Sequence, residues 1–358
     1  MVSVRRWSVV AAGVAVLIAL PATIAALPAR SSKITAADLL ARIQHSKNVP
    51  YSGYAESTGG LSLPVTRQFS SVADLFGQTT QLRVWYRGRT DWRVDTITLA
   101  GESDVHAGPT GTWTWDYEDN RAIWTAGAVT PDVRLPDSGD VVPTNLARRL
   151  LSEVQAGGPD QVRRLPAKRI AGRSVPGLRL TPAEPGSTIE RVDVWADEHT
   201  GLALRVDVYG GGTTVMSSRF LDFSTHQPSA HDTAFTPPDS ARVQTLDQPD
   251  LGAEIDQLSG TVPPPTLAGL TRNRSLPTLG AIGVYGRGVT ELVAVPLFGR
   301  VAFSLQRQLE GTAVKKDGGL ALTIGPLNLL ATDSWLLVGT VVYDRLSQAA
   351  KDLQAGAR

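Results

Sequence analysis

Residues 191–209 read RVDVWADEHTGLALRVDVY, and the reading of this stretch decides the fold. Val192, Val194 and Ala196 alternate with Arg191, Asp193 and Trp195. After Asp197-Glu198-His199-Thr200-Gly201, Leu202, Leu204, Val206 and Val208 alternate with Ala203, Arg205 and Asp207. A period of two puts one set on a buried face and the other on a wet one, and a short glycine-ended turn between two such runs makes an antiparallel hairpin. Upstream the same alternation recurs at Leu82-Val84-Tyr86, Trp92-Val94 and Trp113-Trp115-Tyr117. Turn chemistry at Arg87-Gly88-Arg89, Glu118-Asp119-Asn120 and Gly210-Gly211-Gly212 separates the strands. Consecutive hairpins predict an antiparallel meander.

Two amphipathic helices accompany the strands. The first runs from Thr35, its N-cap, to about Gln44, with Leu39, Leu40 and Ile43 on one face. The second opens at Pro143-Thr144, carries Leu146, Leu150, Leu151 and Val154, and stops at Gly157-Gly158. Helices this short cannot cover every strand of a twisted sheet, so the expected fold class is α+β: a curved antiparallel sheet, an open half-barrel, covered by short helices. Its concave face is expected to be an apolar container if the helices stand off from it and a packed core if they seat fully. Strand parity assigns to that face Leu82, Val84, Tyr86, Trp92, Val94, Trp113, Trp115, Val192, Val194, Leu204, Val206 and Val208. Arg83, Arg93, Asp116, Arg191, Asp193, Arg205 and Asp207 are then expected to face solvent.

The 358 residues are 42% hydrophobic and carry a net charge of +1, enough for a sizeable core and too little charge for disorder or nucleic-acid binding. The chain has no Cys, which excludes disulfides, thiol nucleophiles and Cys-based zinc sites. Arg5 and Arg6 precede an uncharged apolar run from Trp7 to Leu27, so residues 1–30 read as a cleaved signal peptide or a retained membrane anchor. Residues 34–245 form the sheet domain, and the Pro-rich stretch 246–276, with Val262-Pro263-Pro264-Pro265, reads as a linker. Residues 277–358 form a smaller α+β domain with strands near 281–285, 289–295, 320–324 and 335–342 and a closing helix from Asp344 to Leu353.

No catalytic constellation assembles from the sequence, so an enzyme is not expected. The five histidines read as turn or strand-edge residues, and His226 and His231 with Asp232 read as a solvated loop rather than a metal site. There is no Gly-x-Ser-x-Gly elbow and no phosphate-binding loop. No metal or cofactor is expected.

The series Val192 to Asp197, Thr200 to Arg205, Phe220-Leu221-Asp222-Phe223 and Phe235-Thr236-Pro237-Pro238-Asp239 resembles the strands closing a LolA-type lipoprotein-carrier domain. Tyr285-Gly286-Arg287-Gly288, and Leu336 to Val341 leading into Leu346, Ala349 and Ala350, are similar to the small C-terminal domain of the MucB/RseB family. The resemblance implies an extracytoplasmic regulator, in the periplasm or cell envelope, that binds the outer segment of an anti-sigma factor and senses lipid. The alternatives are a lipid or lipoprotein carrier and, third, an envelope hydrolase. The expected partners are a lipid or acylated protein, an anti-sigma factor segment and the membrane surface through the N-terminal segment.

Overall fold

A computed structural model describes residues 28–60, 77–98, 101–127, 137–246, 262–273 and 280–356. The expected signal or anchor before residue 28, and most of the expected linker, lie outside the described residues. Among the described residues no helix is long and apolar enough to cross a membrane.

Twelve strands build the large sheet: β1 (Tyr51–Gly59), β2 (Thr79–Gly88), β3 (Asp91–Ile97), β4 (Glu102–Gly108), β5 (Gly111–Asp116), β6 (Arg121–Ala126), β7 (Gln161–Ile170), β8 (Arg173–Thr181), β9 (Arg191–Ala196), β10 (Ala203–Gly210), β11 (Thr213–Ser224) and β12 (Arg242–Leu246). Their order is β12-β6-β5-β4-β3-β2-β1-β11-β10-β9-β8-β7. Every pairing is antiparallel except that of β12 with β6. Helices α1 (Ala36–His45) and α2 (Pro143–Leu150) lie on one face, as expected. A short α3 (Ala230–Thr233) follows β11.

Thr35 caps α1 by accepting from the Asp38 N–H (3.1 Å), and Pro143 starts α2 where a missing N–H costs nothing. The apolar stripe of α1 is complete in the structure: Leu39, Leu40 and Ile43 are all buried. Each contributes roughly 2 kcal/mol of apolar burial. Gly201, at φ +73°, lets the β9–β10 turn pass under the end of α1, where a Cβ would meet the Arg42 carbonyl.

The smaller unit is a six-stranded antiparallel sheet of β15 (Gly283–Arg287), β16 (Thr290–Pro296), β17 (Val314–Lys316), β18 (Gly319–Ile324), β19 (Leu327–Ala331) and β20 (Trp335–Gly339), in the order β15-β16-β20-β19-β18-β17. It carries α4 (Gly299–Leu309) and α5 (Tyr343–Gly356), whose Leu346, Ala349, Ala350 and Leu353 are buried. The end of the Pro-rich stretch belongs to this unit rather than to a linker. Thr266–Leu267 and Leu270–Thr271 form a hairpin, β13 and β14, with Leu267 and Leu270 in the second core. Tyr285 donates to the Pro264 carbonyl (3.0 Å), and Asp352 accepts from the Ala268 N–H (2.8 Å).

Candidate functional site

The helix-covered face is a packed core. Leu82, Val84, Tyr86, Val94, Val192, Val194, Leu204, Val206 and Val208 all lie in one buried cluster with the α1 and α2 side chains, and half-buried Trp92 packs against it. Polar contacts fasten the helices to what they cover. Ser218 donates to the Val141 carbonyl (2.6 Å), Thr144 to Ala203 (3.0 Å) and Tyr86 to Lys47 (2.6 Å). Gln44 of α1 donates to the carbonyls of Leu151 and Val154 (2.7 and 2.8 Å), satisfying the C-terminal end of α2. With the helices seated this way, the expected open container is closed among the described residues.

Trp113 and Trp115 depart from the expected face. Trp92 pairs across β3–β4 with Ala107 and Val94 with Val105, whereas Trp113 pairs with His106 and Trp115 with Asp104. Side chains directly opposite share a face, so these two tryptophans lie on the far side of the sheet, against Phe235 at 5.8 and 5.9 Å. Parity holds within each strand, but β4, between β3 and β5, sets the phase from one to the other.

That far face is not simply wet. Asp193 and Asp207, expected in solvent, are 2% and 1% exposed. Asp193 takes both donors of Arg179 at 2.5 Å, and Asp207 accepts from Arg205 (2.9 Å) and Ser217 (2.7 Å). On the other half of the sheet Asp95 faces Asp104 in register, and Arg93 bonds both. Burial pushes the Asp95 carboxyl up to about 6, with Arg93 opposing the rise and Asp104 adding to it. His106, read as a turn or edge residue, is buried in the middle of β4. The alternation Asp104-Val105-His106-Ala107 marks it as a strand residue, but its burial follows from the cross-strand register.

The third feature is the seam between the sheets. Thr188 N–H donates to the Thr340 carbonyl and Val342 N–H to Gly186, at 2.9 and 2.8 Å. Side chains add to this backbone stitching: Arg287 with Asp160 (2.9 Å), Arg345 with Glu184 (2.6 Å), Thr290 with Ser187 (2.8 Å) and Glu153 with the Gly288 N–H (2.8 Å). Asp160, Glu184, Leu270, Thr271, Arg287 and Thr290 line a cleft of about 320 Å³ along it. Glu291 sits beside Glu153 there. Burial first, and then the neighbouring Glu153, push its carboxyl up to about 7, with Arg149 opposing them.

No protein-family model matches the chain, and no curated protein matches it. Among solved structures it is similar to MucB in the Pseudomonas aeruginosa MucA/MucB complex, at 16% identity over 88% of this chain and 96% of that one, with a TM-score of 0.47. It is also similar to MucB solved without a named partner, at 15% identity over 88% and 96% of the two chains, with a TM-score of 0.44. A LolA-superfamily protein from Nitrosomonas europaea matches 56% of this chain and 98% of its own, at 11% identity and a TM-score of 0.25. Two of the names that these solved structures bear, MucB and LolA, are those that the sequence motifs resemble.

Proposed function

We infer that the chain is a non-catalytic binding protein of the cell envelope, exported by its N-terminal segment, whose seam between the two sheets receives a segment of a membrane-bound protein. The observation that supports this reading is the contrast between its two candidate surfaces. The apolar face is filled by α1 and α2, whereas the seam keeps a cleft lined by carboxylates and a guanidinium. A cleft of this size and mixed charge suits a short extended peptide better than an acyl chain. The partner class that the family resemblance implies is the extracytoplasmic segment of an anti-sigma factor.

Calorimetric titration with such a segment from the same organism is expected to show saturable binding that Arg287→Glu weakens at least tenfold. No binding by the folded wild-type protein would overturn the reading. A second reading, a lipid or lipoprotein carrier, rests on the continuity of the apolar cluster beneath helices of only ten and eight residues. Displacing such lids would expose that cluster to an acyl chain, each CH₂ of which gains about 0.8 kcal/mol on burial.

A further inference from the structure

The two carboxylate pairs on the far face of the large sheet are built alike but balanced differently. Asp193 and Asp207 stand in register and have two arginines, Arg179 and Arg205, with Ser217 as a further donor. Asp95 and Asp104 stand in register too, yet among the described residues they share one arginine, Arg93, with His106 Nε2 4.0 Å from Asp104. With a neutral His106, one negative charge is left over among the described residues, in a site where Asp95 is 0% and Asp104 1% exposed.

The leftover charge has an address. Among the described residues Asp104 Oδ1 is buried with no hydrogen-bond partner, and so is Nε2 of His106, which is 4% exposed. The His106 tautomer follows from its other nitrogen: Nδ1 lies 3.1 Å from the Thr233 carbonyl, which can only accept, so Nδ1 carries the proton. In the neutral ring Nε2 is then a lone pair. An imidazole held through Nδ1–H by a backbone carbonyl, with Nε2 directed at carboxylates, is the usual arrangement of a metal-binding histidine.

We propose that Asp95, Asp104 and His106 bind one divalent first-row transition-metal ion of the Zn²⁺ type. One ligand atom from each residue lies within 4.8 Å of the others. Tetrahedral coordination at about 2.0–2.2 Å needs separations of roughly 3.4 Å, so small side-chain rotations close the site. A nitrogen donor beside two carboxylates selects Zn²⁺, Co²⁺ or Mn²⁺ over Ca²⁺ and Mg²⁺, which take all-oxygen shells. Arg93, with its side chain 24% exposed, remains on Asp95 and forms the solvent side of the site. Phe235, 4.7 Å from the His106 ring, closes the other side.

The test uses the full chain, stripped with chelator, titrated with Zn²⁺ by calorimetry and with Co²⁺ by fluorescence. Trp113 and Trp115 pair with His106 and Asp104, so a paramagnetic ion there quenches them. The expected result is one equivalent of Zn²⁺, saturable Co²⁺ quenching reversed by Zn²⁺, and at least tenfold weaker binding in Asp104→Asn and His106→Gln. A His226→Ala/His231→Ala variant should bind as wild type, since those histidines lie outside the cluster. Absence of saturable Zn²⁺ or Co²⁺ binding to the folded wild-type chain would overturn the proposal without recourse to a variant. So would a His106 ring doubly protonated at neutral pH by nitrogen NMR, because a proton would then hold the place of the ion.

Discussion

Asp207 stands directly opposite Asp193 on neighbouring strands, two buried carboxylates in register, and each has its own arginine. Like charges directly across a sheet repel, so the arrangement persists only because Arg179 and Arg205 neutralise it. Removing one cation leaves an uncompensated buried charge. Arg179→Met is expected to cost about 2–3 kcal/mol by urea unfolding, and adding Asp193→Asn should recover most of that loss.

A packed core and an open container respond differently to truncation. Ile43→Ala, on the buried face of α1, is expected to destabilise the protein by about 2–4 kcal/mol, because the hole cannot collapse under a helix fastened through Gln44. Brominated fatty acids should leave the fluorescence of Trp92 unquenched in the wild-type protein. Saturable quenching that Val206→Arg removes without unfolding would favour the carrier.

Much of the large sheet was legible in the sequence because alternation is local. The strands β9 and β10 and the stripes on α1 and α2 came from residue spacing alone. The strands β7 and β8 show no clean alternation because Pro166, Pro176 and Gly177 interrupt them. Pro166 sits at the bulge of an edge strand, and Gly177 is where a Cβ would collide with the Trp195 indole. The face of Trp113 and Trp115, and the burial of His106, depend on cross-strand register, which no single segment encodes. Seam contacts join residues more than a hundred positions apart, so they were invisible in the same way.

The seam should respond to pH through Glu291. Its carboxyl is raised from 4.5 to about 7, so the folded state binds the proton more tightly than the unfolded state does. The resulting stabilisation is complete below about 4.5 and is lost as pH rises through about 7. Glu291→Gln should therefore flatten the stability profile between pH 5 and about 8, with a difference of up to about 3 kcal/mol at the alkaline end. Parallel wild-type and variant profiles in denaturant titrations would count against this role.

The stretch 246–276 reads as a linker in the sequence, but Leu267 and Leu270 within it are core residues of the small unit. Limited proteolysis should spare this hairpin. We propose that the two sheets, stitched at Thr188–Thr340 and Gly186–Val342, unfold in one transition. Two resolved calorimetric transitions would show instead that the seam is weaker than its hydrogen bonds suggest.

Hydrogen exchange with and without an added anti-sigma-factor segment is the most direct test of the proposed recognition at the seam. Protection is expected along the seam, at residues 183–188, 268–272 and 286–291, with exchange in α1 and α2 unchanged. Protection, or opening, confined to α1, α2 and the strands beneath them would place recognition on the apolar face and contradict a binding site at the seam.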